Sequence, residues 1–420
     1  MSLSRHLMRR AVGNRHGVVM QPQRAPVGQA DVASIVHFGV PRVTDAPWQS
    51  AAGGVGRDVE TAWLAAVGET VERTAAGLVR LPSRRRRELP DEVRIDAGEF
   101  ALFTPEQRRE PGFPYGPLYD DDCPYVEVFE LGGDESRWVP QPLVSLQDPH
   151  RTGVSTSSGL AAGESCGEAL LRGLQEAIER DALMTSWLHG LGGRVVPTAP
   201  ALLAEVARLG GEAVTIDLTP AYSPFPVATV MGGIAERGRW RHSLGVACRE
   251  TWESAAEKAY LEWNQGVLFA SVYPRHIDLG GLPGPDELTS FDQHAMYYTA
   301  HPGEWEQLPL WSGRTEAGRW ARPEGSDGDS GLATSTAEAI GGASLALRSS
   351  GIRVFYRELT TIDAIQAGLH VVRVLSPDLA PIYAHQRWPY LHKVDGFLSS
   401  RYPDRVPESR FPYLMPHPLG

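Results

Sequence analysis

Three short segments carry polar residues at helical spacing. They are Glu69-Thr70-Val71-Glu72-Arg73, Glu176-Ala177-Ile178-Glu179-Arg180, and Lys258-Ala259-Tyr260-Leu261-Glu262-Trp263-Asn264-Gln265. Residues three or four apart share one face of an α-helix. Glu69 therefore projects with Glu72, Glu176 with Glu179, and Lys258 with Glu262 and Gln265. At about 100° per residue Glu168 falls in the sector of Glu176 and Glu179, while Leu170, Leu171, Leu174, Ala177 and Ile178 line the other side. One such pair alone reads as a solvated helix face, because Glu, Arg and Gln are good helix formers. Like charges at this spacing repel mildly, and a site that gathered all five carboxylates would need divalent cations. Mg2+ suits such a set: it takes carboxylate oxygens, keeps waters and bridges phosphates, and two such ions can clamp a nucleotide triphosphate. The residues point to an Mg–nucleotide site built from helix carboxylates and do not select a reaction.

Other chemistries fail on spacing. The only lysines are Lys258, followed by Ala259, and Lys393, followed by Val394. A phosphate loop needs Lys before Ser or Thr, so a Walker-type ATPase is excluded, and the protein-kinase signatures are missing too. There is no HExxH, and no His/Cys cluster has zinc spacing. Gly153-Val154-Ser155-Thr156-Ser157 is not a nucleophile elbow. Cys123, Cys166 and Cys248 form neither a disulfide framework nor a CxxC pair and read as thiols in a reducing compartment. Gly53-Gly54-Val55-Gly56 reads as a plain turn, and Asp120-Asp121-Asp122 as an exposed turn before Pro124. The Arg84–Arg87 run reads as a solvated loop, or as a contact for an acidic partner or peptide.

The elements that must position these residues follow from length and pattern. The chain has 420 residues, 42% hydrophobic and 22% charged, which is ordinary for a globular protein and excludes collagen-like, coiled-coil and wholly disordered classes. With 40 basic against 51 acidic residues it is a poor general binder of phosphate backbones, so nucleic acid is not expected as a ligand. Met1–Arg10 is followed by no apolar signal segment, and no run reaches the ~18 apolar residues of a membrane span. A soluble, cytoplasmic protein with no membrane partner is predicted. Apolar runs at Gly17–Met20 and Ala33–Val40 suggest strands. A helix is predicted from an Asp58 cap to about Val79, others over Gly167–Leu188, Thr251–Phe269 and Ser335–Arg348. Tyr125–Glu130 alternates as a half-buried strand does. Ala213–Leu218, Val227–Met231, Ser243–Cys248, Ile352–Tyr356 and Val371–Leu375 are further strands, 152–163 a polar loop, and 320–335 the most linker-like stretch. The Pro-rich tail Val406–Gly420 reads as extended or polyproline-like.

In order and spacing these segments resemble the YcaO family of ATP-dependent enzymes that modify peptide backbones. The resemblance is carried by Gly54-Val55-Gly56 with Ala65–Arg73, by Ser157-Ser158-Gly159-Leu160-Ala161-Ala162-Gly163-Glu164 with Glu168–Leu170 and Gly173–Asp181, by Lys258-Ala259 with Glu262 and Gln265, and by Gly368–Val374 with the Pro416-His417-Pro418 ending. It implies ATP and Mg2+ as cofactors. Glu69, Glu72, Glu176, Glu179 and Glu262 match the metal-holding glutamates, and Arg73, Glu164, Glu168, Arg180, Lys258 and Gln265 the nucleotide site. In the azoline-forming branch a Cys, Ser or Thr of a substrate peptide attacks the preceding amide. ATP phosphorylates the resulting oxygen, and phosphate leaves a thiazoline or oxazoline. The ending Pro416-His417-Pro418-Leu419-Gly420 is similar to that branch's Pro-rich terminus, which reaches the active site, and so marks Pro416, His417, Pro418 and Gly420 as catalytic. Val55, Ser158, Glu164 and Lys258 depart from the Lys, Asn, Asn and Arg common there.

The resemblance further implies an α+β fold, one large domain of layered helices and mainly antiparallel sheets. It places an N-terminal extension at 1–30, the ATP-binding catalytic domain at 31–405 and the tail at 406–420. It also implies a ribosomally made precursor peptide as substrate, a separate ThiF-like protein that binds the leader, and a homodimer. A stand-alone enzyme forming a macrocyclic amidine or thioamide, and a non-catalytic nucleotide-binding scaffold, are the rival readings.

Overall fold

The structure, a computed structural model, describes the chain except residues 1–2, 14, 16, 25–33, 39–51, 119–120, 237, 273–280, 317–334 and 420. It divides into two compact units, one formed by 1–25, 34–177 and 333–379, the other by 26–33, 178–332 and 380–420. The long helix Cys166–Leu188 contributes its first half to the first unit and its second half to the second.

In the first unit the helix Val59–Leu78 starts where expected: the Asp58 carboxylate accepts from the backbone N–H of Thr61 at 2.8 Å, satisfying an orphan donor of the first turn. The helix buries Ala62, Ala66, Val67, Val71 and Ala75. Its small side chains let it lie close on the strand Ala52–Gly56, which replaces the turn expected at Gly53–Gly56. The glycines serve approach rather than reversal: a Cβ at Gly54 would sit 2.2 Å from the Ala62 carbonyl oxygen. The strand pairs with Ser34–Phe38, part of the run expected at 33–40, whose remaining residues lie outside the described ones. A second sheet runs Ser83–Arg85, Pro124–Glu130, Phe355–Glu358, His370–Leu375, Leu160–Gly163, with Ser136–Pro140 also paired to Pro124–Glu130. Every pairing in it is antiparallel.

Two charge runs turn out to answer each other. Arg85 and Arg87 pair with Asp122 at 3.3 and 3.1 Å, and Arg86 pairs with Asp96 at 2.8 Å and Asp121 at 3.1 Å. Arg84 lies over the Trp138 ring. The arginine run is thus engaged with the chain's own aspartates; Asp120 lies outside the described residues.

In the second unit a five-stranded sheet runs Arg239–Cys248, Val227–Glu236, Gly211–Asp217, Arg194–Val196, Thr315–Glu316, antiparallel except for its last pair. The helix Trp252–Val272 packs on the first two strands through Ala255, Ala259, Tyr260, Trp263 and Val267. Gly245 permits this: a Cβ there would meet the Ala259 carbonyl oxygen at 2.1 Å and the Trp263 nitrogen at 2.2 Å. Buried Asp181 anchors the unit by accepting from Tyr222 Oη at 2.7 Å, Arg401 Nε at 3.2 Å and the Ala380 N–H at 2.8 Å.

Other expectations need correcting. Residues 17–20 hold only an isolated bridge, Val12 to Val19, and a helix, Leu3–Arg10, precedes it. The loop expected over 152–163 ends in the strand Leu160–Gly163, and the strand expected at 352–356 lies at Phe355–Glu358. The linker-like stretch falls almost wholly outside the described residues. The tail forms no regular element and is not free, for Pro416, His417 and Pro418 are buried. Among the described residues no helix is long and apolar enough to cross a membrane.

Gly245→Ala should therefore lower stability by about 1–3 kcal/mol, the range of overpacking a tight contact. Urea denaturation with an unchanged midpoint would show that the helix does not need this close approach.

Candidate functional site

Several of the expected site glutamates are fixed by backbone N–H groups of neighbouring strands. In the first unit Glu69 accepts the Gly53 N–H at 2.9 Å through one oxygen and pairs with Arg73 at 2.6 Å through the other. Glu72, one turn on, accepts the Ala162 N–H at 3.1 Å. This bond reaches from the helix to the strand Leu160–Gly163 and fixes where the carboxylate sits. Glu72 has its pKa raised well above the ordinary 4.5, by burial first and then by the charges of Glu176 and Glu69; Arg73 and Arg373 oppose the rise. Three of the five expected metal glutamates thus act on one another in this unit.

Arg373 was not singled out as a site residue, yet it is part of the same electrostatic group. Its guanidinium is buried and donates to the carbonyls of Val144, Ser158 and Thr156. Burial pulls its pKa down to about 10, while Glu176 and Glu72 push it up. It therefore stays charged at neutral pH. Its signal in the sequence is a lone cation inside the apolar run Val371-Val372-Arg373-Val374-Leu375, which is costly unless the charge is paired.

Glu164 and Glu168 sit together at the start of the helix Cys166–Leu188. Both are exposed, and the Glu164 N–H donates to the Glu168 carboxylate at 3.0 Å. A carboxylate is favoured there by the helix dipole. Ser158, close by in sequence, has a buried hydroxyl with no hydrogen-bond partner.

In the second unit Glu179 is buried, accepts the Cys248 N–H at 3.2 Å and lies 3.5 Å from Arg180. Lys258 and Glu262 form an i,i+4 pair at 3.1 Å, both half-buried, with Gln265 one turn further along. The tail is held in the same unit. Tyr298 Oη donates to the Pro416 carbonyl at 2.6 Å, Trp187 Nε1 to Met415 at 2.8 Å and Gln386 Nε2 to Leu414 at 2.6 Å. The His417 ring stacks on His294 with centroids 4.2 Å apart, its Nε2 lying 2.8 Å from the Tyr383 carbonyl. Its pKa is pushed well below 6.5, by burial first and then by His294 and also Arg180. A neutral ring therefore carries its proton on Nε2. Arg180 is close enough to disfavour the protonated form of His417. Gly420 lies outside the described residues.

The donor set fits a hard divalent cation. It consists of carboxylate oxygens on rigid helices, mutually repelling in the first unit, with too little cationic compensation to restore an ordinary pKa for Glu72.

Comparison with known proteins agrees. The sequence profile of the family described as YcaO cyclodehydratase, ATP- and Mg2+-binding, matches residues 53–380. Over most of its length, then, the chain has the hallmarks of a protein class whose cofactors are ATP and Mg2+. The chain belongs to the YcaO family. No curated protein matches it by sequence. Among solved structures it is similar to a heterocyclase in complex with substrate and cofactor (TM-score 0.69, 18% identity, 98% of this chain and 57% of that one). It is also similar to YcaO from Methanopyrus kandleri bound with AMPPCP and Mg2+ (0.61, 18%, 96% and 92%), and to the heterocyclase TruD (0.62, 17%, 99% and 53%). The chain spans a little over half the length of the two heterocyclases. The fold is the mixed, mainly antiparallel α+β fold expected.

A carboxyl with a raised folded pKa costs stability once ionised. For Glu72 the cost is absent below the ordinary 4.5, grows as pH rises towards the raised folded value, and stays above it. Without Mg2+, Glu72→Gln should raise stability at neutral pH by on the order of 1–2 kcal/mol and lose that advantage on acidification. Thermal melts across pH, in chelator, check this. A variant less stable than the parent at pH 7 would show that the repulsion is already relieved.

Proposed function

We propose that the protein is an ATP-dependent cyclodehydratase that converts Cys, Ser or Thr of a ribosomally made precursor peptide to thiazoline or oxazoline. The thiol or hydroxyl adds to the carbonyl carbon of the preceding residue. The former carbonyl oxygen then takes the γ-phosphoryl group of ATP. Phosphate departs as the C=N bond forms and the amide proton is lost, so one water is removed per ring and ATP becomes ADP and phosphate. An amide oxygen is a poor leaving group and a phosphate a good one, so the enzyme's task is positioning and charge neutralisation.

The observation that carries this reading is the charge group of Glu72 with Glu69 and Glu176, on helix faces matched by the YcaO profile. In this reading Glu69, Glu72, Glu176, Glu179 and Glu262 would hold Mg2+, which would neutralise charge on the transferring phosphoryl group. Arg73, Glu164, Glu168, Arg180, Lys258 and Gln265 contact or orient the nucleotide. Lys258 offers a point charge rather than a bidentate fork, and its Glu262 partner holds it over the helix face. The buried tail supports the azoline branch over amidine or thioamide formation. Pro416, His417, Pro418 and Gly420 would order the reacting peptide, with His417 kept neutral by burial. A separate ThiF-like partner presents the leader, and the protein works as a cytoplasmic homodimer. The similarity to the E. coli microcin synthetase McbBCD complex, one structure of which has pro-MccB17 bound, supports a multi-protein assembly.

Intact-mass spectrometry of a precursor peptide incubated with the protein, Mg-ATP and a ThiF-like partner should show losses of whole waters. Glu72→Gln or Glu179→Gln should slow this by at least about 100-fold. Full activity in both variants would remove the glutamates from the site. Exchange of oxygen for sulfur would assign thioamidation instead, and ATP binding without turnover in the full assembly would assign a scaffold. Deletion of the last five residues should abolish ring formation; a fully active truncation would separate the tail from the chemistry.

A further inference from the structure

Cys166, Glu358 and His370 are far apart in sequence and meet at one end of the first unit's larger sheet. His370 pairs with Gly163 across the Leu160–Gly163 and His370–Leu375 strands, and the chain runs from Gly163 through two residues to Cys166 at the first turn of its helix. Glu358 closes the neighbouring strand Phe355–Glu358, and the connection 359–369 returns to His370. Three adjacent strand ends therefore deliver one sulfur, one nitrogen and one oxygen to the same place.

The distances have a particular value. Cys166 Sγ is 3.4 Å from His370 Nδ1, and the same Nδ1 is 3.3 Å from Glu358 Oε1. All three atoms lie within 4.8 Å of one another. Ligands bound tetrahedrally to Zn2+ at ~2.0–2.3 Å stand roughly 3.3–3.7 Å from each other. The Thr360 hydroxyl donates to the same Glu358 oxygen at 2.7 Å, which orients the carboxylate as outer-sphere partners of metal ligands do. The group is open to solvent on the Glu358 side, while Cys166 and His370 are half-buried.

We propose that Cys166, His370 and Glu358 form a three-ligand site for Zn2+, with a fourth position open to water or a small ligand. Its chemistry differs from that of the glutamate helices. Thiolate and imidazole select a borderline ion, whereas all-oxygen sets suit Mg2+, so the two kinds of site do not compete for one metal. Bound Zn2+ would tie the start of the helix carrying Glu168 and Glu176 to the connection 359–369. A nucleophilic role for Cys166 fits less well: burial and then the Glu358 carboxylate push its thiol pKa up to about 11, so at neutral pH the free group is a thiol.

The test uses the full chain, reduced, stripped with chelator and returned to buffer with excess Mg2+, then titrated with Co2+ as a spectroscopic probe. The expected result is one equivalent bound, with a thiolate-to-cobalt charge-transfer band and the intense visible bands of tetrahedral Co2+, all abolished by one equivalent of Zn2+. Cys166→Ser should remove the charge-transfer band. His370→Ala should weaken binding at least about 10-fold. Both variants should keep the parent's circular dichroism and Mg2+ response. No charge-transfer band in the folded parent, or an unchanged band in Cys166→Ser, would overturn the proposal. The readout is independent of peptide turnover, so it stands or falls separately from the proposed activity.

Discussion

Repulsion between glutamates is the constraint around which the first unit is organised. Glu72 cannot relax away from Glu69 and Glu176, because the Ala162 N–H holds it and the helices beneath are packed on sheets. A fold tolerates such a group only if other contacts fix the helices. Here close approach of helix to strand fixes them. Ala62 and Ala66 lie against Gly54 in the first unit, and Ala259 and Trp263 against Gly245 in the second. Every side chain larger than hydrogen at those two glycines would push its helix outward and shift the carboxylates with it.

The second unit treats its charges differently. Glu179 and Glu262 each have a cation nearby, Arg180 and Lys258. Its unusual feature is the tail. Hydrogen bonds to three successive carbonyls, from Gln386, Trp187 and Tyr298, lead the chain into a pocket of aromatic rings where His417 is fully buried. A segment with four prolines from 407 to 418 has few N–H groups of its own to satisfy. Donation to its carbonyls by side chains is therefore the economical way to bury it. What read as a polyproline-like terminus is an irregular segment whose end, Pro416 to Leu419, is buried.

The parts of this arrangement that were legible in the sequence are the local ones. Asp58 before a run of apolar positions announces a helix start, and the three glutamate helices lie within a few residues of their expected bounds. What could not be read there depends on tertiary contact. Gly53–Gly56 has the composition of a turn and becomes a strand, because the helix above needs the space a Cβ would fill. Arg84–Arg87 has the composition of a solvated loop; most of it is exposed, and it also pairs with Asp96, Asp121 and Asp122, which lie 10 or more residues away in sequence. Arg373 stood in a quoted motif, and its charge in an apolar strand was the available warning. Cys166, Glu358 and His370 carry no spacing signal at all, since sheet register alone brings them together.

Counting charges in each unit explains why ATP and Mg2+ come as a pair in this family. In the first unit Glu69, Glu72 and Glu176 lie in one electrostatic group with Arg73 and Arg373, three carboxyls to two guanidiniums. In the second, Glu179 and Glu262 are balanced by Arg180 and Lys258. Neither group has positive charge to spare for a triphosphate, which brings several negative charges of its own. Bringing that polyanion against these carboxylates without added cations would add to the burial and repulsion that already raise the pKa of Glu72. On the proposed reading divalent ions would reverse the sign of the problem: the carboxylates would serve as ligands, and the ions would neutralise phosphate charge. On that reading the negative charge of the carboxylates would oppose binding of the nucleotide without its cations.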